Sequence, residues 1–234
     1  MSKQSLAKYV YETLKNAILS RQITPGQKLL ESEISDVLGI SRTPVRHAIL
    51  ELQKEGMVTI YPNKGAYVIN PTIEEITEAF THRKQLELIA TENIMERITD
   101  RDIETLKLLT KNEIEAFEEK SLSKYIEINT NFHETLVNLS ENRYLREHAK
   151  QMIQQTHIFL ILYDHFYSVD TNKNRGPGEH QRMIEFIEKK DEKAFKELLE
   201  KHIVSTIDEY KNRINIYKKP SDLFSIDNTD IKPI

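Results

Sequence analysis

No cysteine occurs among the 234 residues, which excludes disulfides, thiolate-ligated zinc and thiol nucleophiles together. Glycine and proline are scarce, at six and seven, too few for turn-dense sandwiches, propellers or repetitive β architectures. Long apolar stretches are missing as well. The longest unbroken aliphatic–aromatic run is Ile158 to Tyr163, far short of the roughly 20 residues that span a bilayer. Met1-Ser2-Lys3-Gln4-Ser5 opens into an amphipathic pattern without an apolar leader, so no targeting segment is expected. What remains is 30% charged and 38% hydrophobic residues, a globular balance rather than a disordered one. These bounds predict a cytoplasmic, mainly α protein of two domains with no membrane attachment.

The net charge of −4 speaks against a nucleic-acid partner until it is divided along the chain. Residues 1–70 carry nine Lys/Arg against six Asp/Glu, a net of +3, and the rest carry 24 against 31, a net of −7. A small basic head and a larger acidic body are the expected division.

Leu6, Tyr9, Val10, Leu14 and Ile18 fall at helical spacing and predict a helix over 5–20. Thr24-Pro25-Gly26 ends it. A short helix over 31–38 stops at Gly39, and Thr43-Pro44 reads as N-cap and first position of a third helix running to about Gly56. Two β-prone runs, 57–61 and 66–69, flank the turn Pro62-Asn63-Lys64-Gly65 and predict a hairpin. Helix, helix, turn, helix, hairpin is the outline of a winged helix-turn-helix. After Pro71 the pattern changes to helices over 72–98, 101–119, 123–139, 142–167, 178–189 and 191–217, the first opened by a Thr72/Glu75 capping box. Ser168 to Gly178 reads as a long loop, and residues 218–234 as a tail. The expected domains are therefore 1–71, a DNA-binding head, and 72–217, an all-helical body.

In the head, Arg42 and Arg46 lie four apart on one helical face. Arginine suits the O6 and N7 acceptors of guanine in the major groove. Ser41 and Thr43 add hydroxyls beside free backbone N–H groups at a helix N-terminus, a phosphate-binding arrangement. Lys64 at the hairpin tip can reach a groove or phosphate nearby. The alternative is that the hydroxyls only cap and the arginines are merely solvated. The run ESEISDVLGISRTPVRHAILELQKEG followed by NKGAYV resembles the DNA-binding head of the GntR family of bacterial transcription regulators. That resemblance implies that Ser41, Arg42, Thr43 and Arg46 meet bases and phosphates, and that Gly65 enters the minor groove. His47 departs from the pattern, which has glutamate there. One recognition helix reads only a few base pairs, so a homodimer on a palindromic operator is expected.

In the body, Asn129 and His133 share a helical face, while His180 and His202 fall on later helices. Three imidazoles converging from three helices would suit a divalent ion such as Zn or Ni; ordinary surface or hydrogen-bonded histidines are the alternative. Residues 73–217 resemble the FCD-type ligand-binding domain of the FadR-like branch of the same family, through Arg83-x-x-x-Glu87, Asn129-x-x-x-His133, Asn142-x-x-Leu145, Gly178-Glu179-His180 and His202. The resemblance implies a divalent metal held by one aspartate and three histidines, completed by a carboxylate effector. Asn129 stands where the aspartate is expected, and a neutral amide oxygen removes one negative charge. Arg83, on an otherwise apolar face, is either the effector's anchor or the ion-pair partner of Glu87. Tyr163, Arg175 and Arg182 are further pocket candidates, whereas His148, His157 and His165 read as structural.

The function expected from these features is a metabolite-responsive transcription regulator rather than an enzyme, acting as a repressor by resemblance. The competing reading is a metal-dependent hydrolase built on the three histidines.

Overall fold

A computed structural model describes residues 3–163 and 176–214. The tail, the greater part of the Ser168–Gly178 loop, His165, Arg175 and the side chain of Tyr163 lie outside the described residues.

The chain opens with α1 (Lys3–Leu19), β1 (Lys28–Leu29), α2 (Glu31–Leu38), α3 (Arg42–Lys54), β2 (Val58–Tyr61) and β3 (Gly65–Val68). Val10, Leu14 and Ile18 of α1 pack on Val45, Ala48, Ile49 and Leu52 of α3, with Leu29, Val58, Ala66 and Val68 closing the core from the sheet. Gly39 ends α2 at φ 63°, a left-handed cap that a side chain would strain. The chain can then turn sharply into α3.

Two details differ from expectation. The helix α3 begins at Arg42 with Ser41 in the cap position. Pro44 therefore sits third in the first turn, where no N–H has an intrahelical partner to lose. The sheet has a third strand, in the order β1-β3-β2, all antiparallel. At two residues β1 is too short to carry an alternation that sequence could reveal.

The remainder is helical: α4 (Ile73–Ala90), α5 (Ile94–Arg97), α6 (Asp100–Glu118), α7 (Leu122–Val137), α8 (Arg143–Tyr163), α9 (Gly176–Glu188) and α10 (Glu192–Ile214). The capping box at Thr72 is present, with the Thr72 oxygen accepting from Glu75 N–H at 3.2 Å and the Glu75 carboxylate accepting from Thr72 N–H at 2.7 Å. The expected single helix over 72–98 is instead broken. Thr91 turns its hydroxyl back to the Glu87 carbonyl at 2.8 Å, and Asn93 adopts φ 55°, a conformation asparagine tolerates better than most residues. The helix expected over 101–119 is continuous as α6 and begins one residue earlier, on a Thr99/Asp102 capping box.

The body's core joins Ile76 and Phe80 of α4, Leu106 of α6, Phe132 and Leu136 of α7, Phe159 of α8, and apolar residues of α9 and α10. Burying each such side chain contributes about 1.5–3 kcal/mol. Two residues of α8, Ile158 and Leu162, leave this core and join that of the head. Among the described residues, no helix is long and apolar enough to cross a membrane.

Candidate functional site

Two regions gather the residues singled out above. On the head, Ser41, Arg42, Thr43 and Arg46 are exposed around the N-terminal end of α3, while Pro44 and Val45 between them are buried. This follows from helical periodicity: the face that packs on α1 is apolar, and the opposite face carries the guanidinium groups. Arg46 Nε lies 3.3 Å from Glu31 Oε1, with most of the Arg46 side chain in solvent. An exposed pair of this kind is weak, so the arginine is oriented rather than sequestered. Lys64 and Gly65 are exposed at the hairpin turn, and Gly65 holds φ 100°.

In the body, α7, α9 and α10 bring His133, His180 and His202 together. One nitrogen from each lies within 4.8 Å of the others, and the ring centroids are 4.8–5.3 Å apart. Phe132 stacks on His180 with centroids 4.0 Å apart, fixing that ring from behind.

Each ring is held through Nδ1 by its own carboxylate. His133 donates to Glu87 Oε2, His180 to Glu113 Oε2 and His202 to Glu179 Oε2, all at 2.7 Å. An ionised carboxylate only accepts, so the proton of each pair sits on Nδ1 and Nε2 is left as the lone-pair nitrogen. The Nε2 atoms of His133 and His180 are buried with no hydrogen-bond partner. A buried acceptor without a partner costs about 1–3 kcal/mol, and two side by side call for an explanation. Carboxylate, imidazole and open nitrogen form the standard support of a metal-ligating histidine.

The electrostatics agree. Burial, reinforced by Arg83, pulls His133 down to about 3 against the opposing pull of Glu87, so the ring stays neutral, as ligation requires. Burial likewise lowers His202. Burial opposes the charge on Glu87, but Arg83 and His133 beside it hold the carboxyl well below the usual range. Glu113 is also buried and nevertheless lowered, by His180 and by the Asn129 amide.

Asn129, one turn before His133, donates from Nδ2 to Glu113 Oε1 at 2.8 Å. Its amide is thus spent partly on fixing Glu113. Arg83 is buried and pairs with Glu87 through Nε; its Nη1 donates to Thr156 Oγ1 at 3.0 Å and meets His157 Nε2 at 3.3 Å. His157, expected to be structural, is buried against this group and bonds Thr130 through Nδ1. His148 and Arg182 are exposed, so Arg182 does not join the buried cluster.

Sequence reasoning missed the roles of Glu113, Thr156 and Thr130. A signal was present for the first: Leu106, Thr110, Glu113, Ala116 and Phe117 are the buried positions of α6, and a carboxylate within such a stripe demands a buried partner.

Comparison with known proteins covers both regions. Residues 6–68 match the bacterial regulatory proteins of the gntR family, and residues 78–205 match the FCD domain. The chain is 28% identical over 188 residues to the HTH-type transcriptional regulator YdhC of Bacillus subtilis, covering 80% of this chain and 83% of that one. It is 28% identical over 138 residues to the HTH-type transcriptional repressor RspR of Escherichia coli, covering 59% and 60%. Among solved structures, the fold matches E. coli McbR/YncC with a TM-score of 0.69 at 22% identity, over 90% of this chain and 99% of that one. A GntR transcriptional regulator from Rhodococcus sp. RHA1 matches with a TM-score of 0.68 at 19% identity, over 92% and 100%.

Proposed function

Because this chain belongs to the gntR family of bacterial regulatory proteins and carries an FCD domain, we propose that it is a dimeric repressor whose operator affinity answers to a small carboxylate bound, with a divalent metal, in the helical body. The family membership makes it a DNA-binding transcription regulator; the hydrolase reading of the three histidines has no such support.

In this reading residues 1–71 are the DNA-binding unit and 72–217 the sensing and dimerising unit. Arg42 and Arg46 read base edges, Ser41, Thr43 and the N–H groups opening α3 take phosphates, and Lys64 with Gly65 enters the adjacent groove. Two heads on a two-fold axis read the two halves of a palindrome.

The observation that carries the metal is the pair of unpartnered, buried Nε2 atoms on His133 and His180. His133, His180 and His202 would hold the ion, with the Asn129 amide oxygen as a weaker fourth donor. Charge supports the same reading. The charged side chains buried in the body are Glu87, Glu113 and Glu179 against Arg83 alone, a deficit of two positive charges among the described residues. A divalent ion held there would supply that charge and a Lewis-acidic centre able to bind a carboxylate. Arg83 has Nε and Nη1 engaged, so an incoming carboxylate would be met by Nη2.

Ligand binding then shifts the relative placement of the heads, and a coupling of about 1–3 kcal/mol, some 5–150-fold in affinity, is typical. Fluorescence anisotropy on DNA flanking the protein's own coding sequence tests this, with a panel of small carboxylates in the presence and absence of Zn. One member of the panel should lower affinity within that range. A panel that leaves affinity unchanged in both conditions would refute the switch.

A further inference from the structure

We propose that Lys28 is a DNA-backbone contact, seated between the recognition helix and the wing and directed at a phosphate. It rests on the reading that α3 and the β2–β3 turn face DNA.

The strand β1 consists of Lys28 and Leu29, paired with Tyr67 and Ala66 of β3. Leu29 is buried in the head's core and Lys28 is exposed, so alternation along the strand turns the lysine to the outer face of the sheet. Its stem is laid against the wing. A Cβ at Gly65 would meet Lys28 Cε at 3.3 Å, so the bare backbone of Gly65 makes room for the lysine. The ammonium sits 5.6 Å from the centroid of Tyr67, a ring whose hydroxyl donates to the Lys64 carbonyl at 3.3 Å. Tyr67 thus ties both lysines to one turn.

Three residues further on, Glu31 holds Arg46 at 3.3 Å. Extended chain covers about 3.3–3.6 Å per residue, so the segment 28–31 bridges some 10 Å between wing and recognition helix. A duplex lying against both elements brings its backbone across that bridge. Among the described residues no ion pair holds Lys28 or Lys64, whereas Arg46 has Glu31. A lysine with no carboxylate partner is a compact point charge suited to phosphate. Such a contact positions the head without reading sequence.

The test uses the full-length protein and a labelled mixed-sequence duplex, with anisotropy measured between about 50 and 200 mM salt. Lys28→Gln should weaken binding alike on every duplex and lower the log–log salt slope by about 1 per head. Lys28→Arg, which keeps the charge, should keep the slope. Lys111→Gln removes the same charge from the exposed surface of α6 and should leave it unmoved. A wild-type slope for Lys28→Gln overturns the proposal, as does an equal loss in Lys28→Arg, which would trace the effect to the stem. The combined Arg42→Gln and Arg46→Gln variant separates the two levels. If it abolishes binding while Lys28→Gln is silent, only Lys28 falls; if it too is silent, the DNA-facing reading falls.

Discussion

Glu87 orients His133. The Oε2 of the carboxylate accepts a hydrogen bond from the imidazole Nδ1 at 2.7 Å, while Oε1 is paired with Arg83. One side chain therefore fixes a candidate metal ligand and a candidate anion anchor at once. Replacing Glu87 with Gln keeps the shape but leaves a buried guanidinium without its anion. Breaking a buried pair in this way costs about 3–5 kcal/mol, and losing the orienting carboxylate lowers metal affinity about 10–100-fold. Urea denaturation with chelator and Zn titration under native conditions read the two effects separately. Unchanged values in both would contradict the assigned role.

Asn129→Asp should move two properties in opposite directions. Its amide now donates to Glu113 at 2.8 Å; a carboxylate there would face another carboxylate, so the metal-free protein should lose about 1–3 kcal/mol. The added negative charge should tighten Zn binding. Melting curves with chelator and with Zn check the sign reversal, and stabilisation of the metal-free form would count against the geometry.

Acid should unfold the metal-free protein from an unusually high pH. Burial, aided by Arg83, holds His157 well below its ordinary value of 6.5, and burial brings His133 to about 3. Between those folded values and 6.5 the unfolded chain binds more protons, so stability falls as pH falls below 6.5, by about 1.4 kcal/mol per pH unit for each such histidine. Glu87 and Glu113, lowered from 4.5 in the folded protein, add a further loss as pH drops below that value. Urea midpoints across this range give the slope; a flat profile from neutrality down to pH 5 would contradict it.

Head and body should unfold together. Ile158 and Leu162 belong to α8 of the body yet are buried in the head's core, and Ile158 Cδ1 lies 3.6 Å from where a Cβ on Gly56 would sit. Ile158→Ala should cost about 2–5 kcal/mol through the cavity it leaves and separate one calorimetric transition into two. A variant that still melts in a single, unshifted transition would show that this contact carries no coupling.

Much of this architecture is legible in the residues. The helical stripe Val10, Leu14, Ile18, the turn at Gly39 and the Asn129/His133 spacing are all local signals, with periods that a single helix imposes. The supports of the histidines are not local. Glu113 reaches His180 across 67 positions, and His157 reaches Arg83 across 74; such pairings follow from how α6 packs on α9 and α4 on α8. The break at Thr91–Asn93 and the strand at Lys28–Leu29 stay hidden for another reason. A backbone hydrogen bond from a threonine hydroxyl and a two-residue pairing leave no period to detect.

The central claim is that His133, His180 and His202 form one metal site in a DNA-binding regulator. The most direct measurement is the metal content of untagged protein purified without chelator, followed by Zn titration of the stripped protein and of His180→Ala. The account predicts one divalent ion per chain in the wild type and its loss in the variant. Stripped wild-type protein that takes up no Zn, or a variant that binds it as tightly, would contradict the claim.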